Sequence, residues 1–363
     1  MTGLDALGPT LEVAARALTT APPQIDPRAA EATLRDHYGL VGNVTLLSGE
    51  RDRNFLVELR DGARRILKFY NDADDAATRD MQHGALLHIE RSATRCPVPR
   101  LFRTLDGEVH CTARIAGCLQ TGILISLIEG EQVQAERSTA ALRRDLGRSA
   151  ALVDAALATF EHPQGRRVLL WDLMRVDRLL PITRMVEDRT RRDWIVAFMA
   201  RFVDEIRPRA AALPWQIIHN DMSGSNVMVA GHAPSVVAGI IDFGDMVHAP
   251  RINEIAVASS YFVSMEHDPV AAIGDIVAGY DAQLPFTEAE VTLLYDLILG
   301  RLTTRVLLNQ WRVRLFPDNR HYILRTYESA CRLLDGFAAR DSHKDRDAIL
   351  KGWDRRRSAE TAG

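Results

Sequence analysis

The sequence predicts an α+β fold in two lobes, a small antiparallel β lobe over residues 1–130 and a mainly helical lobe over residues 131–363. Three observations carry this expectation. Short β-like runs joined by tight polar connections crowd the first 130 residues, apolar residues recur at helical spacing after residue 138, and one apolar hairpin, "VMVA" and "VVAGII", interrupts the helices. Strands and helices segregated in this way belong to the α+β class rather than to alternating α/β.

The elements follow in order. "DPRAAEATLRDHYGL" (26–40) starts with an Asp cap and Pro at the first helical position and stops at Gly39. "NVTLL" (43–47), "NFLVEL" (54–59) and "RRILKFY" (64–70), joined by "SGERDR" and "RDGA", read as a meander. In "DAATRDMQHGALLHIERS" (75–92) Met81, Ala85, Leu86 and Ile89 share a helical face, and the two prolines of "CPVPRLF" end it. "VHCTARI" and "GILISLIEG" complete the first lobe, and the chain crosses near Glu129 to Glu131. Helical runs follow in "TAALRRDLGRSAALVDAALATF", "RDWIVAFMARFVDEIRPRAAAL" and "EAEVTLLYDLILGRLTTRVLLNQW". The charged tail from Arg340 is expected to fray.

With 47% apolar and 26% charged residues the composition is that of an ordinary globular protein, and a net charge of −3 gives no bulk attraction to nucleic acid or anionic membrane. A small soluble partner is the expectation. Cys96, Cys111, Cys118 and Cys331 form no CxxC pair and have no His at zinc-finger spacing, so neither a disulfide framework nor a structural metal is expected. The acid-containing start lacks the pattern of a secretion signal, and no apolar run approaches the ~20 residues of a membrane span. A cytoplasmic protein is expected.

The hairpin carries the chemistry. Asp, Asn, Ser and Gly populate turns for local backbone reasons, and that is the plain explanation of "IIHNDMSGSNVMVAGHAPSVVAGIIDFGDM" (217–246). A sharper one exists. If the chain reverses near Pro234, antiparallel pairing sets Val227 opposite Ile241 and Met228 opposite Ile240, and the next pair outward is Asn226 with Asp242. Two adjacent hard oxygen donors suit Mg²⁺ held jointly with nucleotide phosphates. Asp221, in a loop after the strand "QII", is then suited to accept the proton of an attacking hydroxyl, with His219 supporting the loop. H-x-D-x-x-x-x-N followed by D-F-G is the combination of protein kinases and their relatives.

Together with "SGERDRNFLVE", "RILKFYN", "LLWDLMRV" and "LFPDNRHYI", these segments resemble the aminoglycoside phosphotransferase and choline kinase superfamily, in the order and spacing of hydroxylysine kinase and its bacterial relatives, over roughly residues 30 to 330. The resemblance implies a two-lobed protein-kinase-like fold, Asp221 as catalytic base, Asn226 and Asp242 as Mg²⁺ ligands, Lys68 on nucleotide phosphate, and ATP or GTP as donor.

Lys68 lies in "RILKFY", where an exposed sheet lysine is the plain alternative. Ser48 and the backbone near Gly49 are expected to approach the phosphates, with Arg51 or Arg53 offsetting Glu50 and Asp52. Protein kinases pair the strand lysine with a helix glutamate; this helix offers Gln82, whose carbonyl could orient the ammonium instead. For the acceptor, Asp172, Asp245 and Trp171 are candidates to grip an ammonium, against Trp171 as core and Asp172 as a helix cap. Glu254 is expected to brace the catalytic loop through Arg251, and one of Arg301, Arg305 and Arg312 could hold a carboxylate. The function expected is transfer of a nucleoside triphosphate γ-phosphate to the hydroxyl of a small-molecule amino acid or amino alcohol, hydroxylysine-like. The alternatives are an aminoglycoside phosphotransferase, a nucleotide-binding pseudokinase and, using His219 and Asp221 as ligands, a metal-dependent phosphohydrolase.

Overall fold

A computed structural model describes residues 15–16, 19–49, 51–92, 95–231, 233–316, 320–324 and 326–361. Glu50, most of the N-terminal segment and the centre of "LFPDNRHYI" lie outside the described residues.

Helix α1 (Pro27–Tyr38) is capped by Asp26, whose carboxylate accepts from the Ala29 amide, and ends at Gly39 in the left-handed region (φ 64°). The meander follows as β1 (Gly42–Leu46), β2 (Arg53–Leu59) and β3 (Arg64–Phe69), with Lys68 opposite Asn54. Helix α2 (Ala76–Arg91) buries Met81, Ala85, Leu86 and Ile89. Strands β4 (Leu101–Phe102), β5 (Cys111–Ile115) and β6 (Cys118–Ser126) complete a sheet of order β1-β2-β3-β6-β4, with β5 also on β6. Phe55, Leu67, Phe69 and Leu124 pack with Leu34 of α1 into a small core of their own. The four cysteines are free thiols.

After β6 the chain forms β7 (Glu131–Gln132) and then α3 (Ala140–Leu157), α4 (Arg189–Arg201) and α5 (Arg207–Ala210). Strands β8 (Trp215–Ile218), β9 (Val227–Ala230), β10 (Ala233–Ile240) and β11 (Val247–Pro250) follow. The second half continues with α6 (Ile252–Phe262), α7 (Pro269–Asp281), α8 (Glu288–Leu315), α9 (Arg320–Leu324), α10 (Tyr327–Ala338) and α11 (Ser342–Thr361). Helix α8 is 28 residues long and opens with a capping box between Thr287 and Glu290. Helices α3 and α7 cross backbone to backbone: a Cβ on Gly279 would stand 1.8 Å from the Arg144 carbonyl oxygen, and one on Gly147 would stand 2.0 Å from that of Ile276.

Two expectations need correction. The tail from Arg340 does not fray; α11 buries Ile349 and Trp353, one turn apart, and Trp353 donates its indole N–H to Asp281 (2.9 Å). Charge density hid that pair. The hairpin register is also one residue from the expected one: Val227 pairs with Ile240 and Met228 with Gly239. The chain reverses between Ala230 and Ala233 rather than near Pro234, and β10 takes up its extra length in irregularities on both sides of Val237. Asn226 therefore faces Ile241, whose N–H it accepts (2.9 Å), and Asp242 lies one residue beyond the ladder.

Candidate functional site

A cleft of about 1040 Å³ runs between the sheet and the helices. Lys68, Ser48, Gly49, Asp221, Asn226 and Asp242 all line it, and so do Asp245 and Trp171. Asp172 and Gln82 do not, and neither do Arg53, His219, Arg251 and Glu254.

The catalytic-loop geometry arises from two short strands and the hairpin. β8 delivers the buried His219, whose Nε2 lies 3.1 Å from the Ile241 carbonyl oxygen and whose Nδ1 accepts from the Asp221 amide (3.3 Å). The first contact fixes the protonated nitrogen as Nε2, because a carbonyl can only accept. Asn220 takes a positive φ of 65° and donates its backbone N–H to Glu254 (3.0 Å). Glu254 thus braces the loop directly and not through Arg251, which pairs with Glu290 (2.7 Å). Asp242 also has φ 65°, and its carboxylate accepts from the Gly244 amide (3.2 Å). Non-glycine residues in this region occur where surrounding contacts over-determine them.

Asp221 is held by Asn226, whose amide nitrogen reaches its Oδ2 (2.5 Å) and its backbone oxygen (3.1 Å). Those bonds commit the nitrogen of Asn226 and leave its Oδ1 as the oxygen available to a cation. Burial, and after it the like charge of Asp245, push the Asp221 carboxyl up to about 7, against the pull of Arg301. Arg301, itself buried, stands 3.6 Å from Asp221, donates to the Trp171 carbonyl (2.5 Å) and lies over the Trp171 ring.

Lys68 sits 2.7 Å from Asp52 and 3.7 Å from Asp242. Burial disfavours its charged form, but Asp242 and Asp52 together raise its pKa. The Asp242 carboxyl is held below its ordinary value, chiefly by Lys68, although half of its side chain (51%) faces the open cleft. Asp242 therefore stays an anion at neutral pH, with one oxygen free of protein hydrogen bonds. Asn226 Oδ1 and the open oxygen of Asp242 fit a hard divalent cation completed by phosphate oxygens. Among the described residues no group of three His, Cys, Asp or Glu side chains could hold a metal unaided.

Three assignments change. Gln82 does not meet Lys68; its Nε2 is buried without a hydrogen-bond partner. Asp172 caps the turn that follows it, accepting from the Met174 amide (3.0 Å) and from Arg175 (3.1 Å), as the plain alternative expects. Arg51 and Arg53 make their direct contacts outside the loop, Arg51 with Asp74 (2.7 Å) and Asp245 (3.7 Å) and Arg53 with the Pro23 carbonyl (2.8 Å), although the Arg51 charge also acts on Asp52. The sequence reading missed Asp52 as a partner of Lys68. The available signal was a strand lysine without a helix carboxylate. It also missed Tyr261 and Asn309, which line the cleft with Arg305 and Arg312.

The model of the phosphotransferase enzyme family matches residues 43–292, more than half of the chain. This chain belongs to that family. Hydroxylysine kinase of Danio rerio is 25% identical over 310 residues, covering 82% of this chain and 87% of the relative. The solved structure of a microcompartment-associated aminopropanol kinase superposes with a TM-score of 0.65 at 19% identity, covering 90% of this chain and 99% of the other. An amicoumacin kinase solved with AMP-PNP and Ca²⁺ superposes at 0.58 and 13% identity, over 96% and 95% of the two chains. The fold is therefore the two-lobed kinase-like fold of this family, and the family is one of phosphotransferases. Among the described residues no helix is long and apolar enough to cross a membrane.

Proposed function

We propose that the protein is a small-molecule kinase that transfers the γ-phosphate of ATP or GTP to a hydroxyl of an amino alcohol or hydroxylated amino acid, with residues 1–130 serving the nucleotide and residues 131–363 the acceptor. The observation that carries this reading is the convergence of Lys68, Asp221, Asn226 and Asp242 on one cleft. The curated and structural relatives supply the acceptor class: one is named for hydroxylysine and another for aminopropanol.

Asp221 takes the proton of the acceptor hydroxyl as that oxygen meets phosphorus, and its raised pKa suits a base working near neutrality. Asn226 fixes the orientation of Asp221 through its amide nitrogen. Lys68 places a permanent positive charge against the donor phosphates. Asn226 and Asp242 would hold Mg²⁺, which supplies neutralisation of charge on the transferred group. Asp245 and the Trp171 face offer an anion and a π surface to an acceptor ammonium, while Arg301 keeps Trp171 and Asp221 in register.

The deciding experiment measures nucleoside diphosphate release with hydroxylysine, ethanolamine, choline, homoserine and kanamycin, each with ATP and with GTP. Release that depends on one of the first four and vanishes in Asp221→Asn supports the reading. Release with kanamycin alone would favour an aminoglycoside acceptor, and nucleotide binding without release would favour the pseudokinase.

A further inference from the structure

We infer that Asp52, carried on the loop between β1 and β2, is the positioning carboxylate for Lys68 and takes over the part that a helix carboxylate plays in protein kinases. The inference rests on the kinase reading above and adds a residue to it.

The helix that follows β3 has no carboxylate to give. Of its two acids, Asp80 lies 3.2 Å from His162, and Glu90 lies 3.3 Å from Arg100. Asp75, at its cap, accepts from the Thr78 amide (2.7 Å). Gln82 leaves its amide nitrogen unbonded, and His83 is engaged by the Tyr70 hydroxyl (2.9 Å). The ammonium turns the other way, to Asp52 at 2.7 Å.

Asp52 is not a loose side chain that happens to fall on the lysine. Its second oxygen accepts from the Asn71 backbone N–H (2.8 Å), three residues beyond Lys68 on the same stretch of chain. The Asn71 side chain in turn donates to the Arg51 carbonyl (2.8 Å) and to the carbonyls of Thr20 (3.1 Å) and Ala21 (3.2 Å). Arg51 completes the clamp by reaching Asp74 before α2 and Asp245 beyond the hairpin. A carboxylate fastened from both sides is built to stay. An ammonium has three N–H donors; Asp52 takes one at 2.7 Å, and Asp242 at 3.7 Å is a charge neighbour rather than a hydrogen-bond partner, which leaves donors for phosphate oxygens. The loop that covers the nucleotide thereby also sets the lysine that binds it.

The opposite role for the same contact would be a phosphate mimic that must be displaced before nucleotide enters. A double-mutant cycle of Asp52→Asn and Lys68→Met separates the two, read on urea unfolding of the ligand-free protein and on titration with magnesium AMP-PNP and GMP-PNP. Asp52→Asn should weaken binding of the preferred analogue by roughly tenfold in the wild-type background and change it little beside Lys68→Met, because the pair is coupled. The ligand-free protein should show the same non-additivity, the double variant unfolding no earlier than the worse single one. Tighter nucleotide binding by Asp52→Asn, or additive effects in both assays, would overturn the inference alone. A wild type that binds neither analogue would overturn the kinase reading, and the inference with it.

Discussion

His83 offers a prediction that can be worked through in numbers. Its side chain is 4% exposed, its Nε2 meets the Tyr70 hydroxyl (2.9 Å), and its ring stacks on His110 at 5.6 Å. Burial, followed by the neighbouring His110, lowers its pKa from 6.5 to about 4; Asp80 opposes this, while Arg79 and Lys68 act in the same sense. The folded protein therefore refuses a proton that the unfolded chain accepts below pH 6.5. Stability from this source is complete above that pH and is lost as pH falls towards 4. The total is about 3 kcal/mol, at about 1.4 kcal/mol per unit between the two values. In His83→Gln the amide can still bond the Tyr70 hydroxyl, but nothing titrates there. Urea unfolding of both proteins at about pH 7.5 and about pH 4.5 should show the wild type losing about 2–3 kcal/mol more than the variant. Parallel losses would mean that His83 is already protonated in the folded protein or is reached by solvent, and the reasoning would fail.

Three further outcomes are expected. Asp221→Asn should lower turnover by at least ~10²-fold while magnesium-nucleotide binding persists, measured by diphosphate release beside calorimetric titration. Gly279→Ala should destabilise by at least about 1–3 kcal/mol, because its methyl would stand 1.8 Å from the Arg144 carbonyl oxygen and the helices must part; thermal unfolding reads it. Trp353→Ala should cost about 3–5 kcal/mol by the same measurement, since the ring is buried and its N–H serves Asp281.

The parts of the site that the sequence displays are those fixed by local chain direction. Lys68 belongs to a strand whose neighbours alternate, and Asp221, Asn226 and Asp242 sit at the ends of apolar runs too short to point elsewhere. The hairpin register was legible only to within one residue, because the pairing shifts around Val237, whose N–H goes to Asp145 outside the hairpin. Lys68 and Asp52 show the same limit. Sixteen positions apart in a meander, they meet because β2 and β3 pair with Asn54 opposite Lys68, and by composition alone an acid in a phosphate-facing loop reads as repulsive. Asp172 shows the reverse, an acid beside a tryptophan that suggested recognition and serves a backbone amide. The C-terminal helix was obscured because Ile349, Leu350 and Trp353 are few among the charges of the tail and carry little periodic signal, although Ile349 and Trp353 find buried places.

The irregular strand β10 has a consequence for how the protein can vary. At Val237, where the pairing shifts, the N–H goes to a carboxylate oxygen of Asp145 on α3 (2.7 Å), so the helix grips the strand between its tip and the end that leads to Asp242. Length changes near Gly231 would be stopped at that grip before they reached Asp242. The hairpin tip is thus a place where this protein could lengthen, shorten or carry an inserted tag, with the cleft left undisturbed.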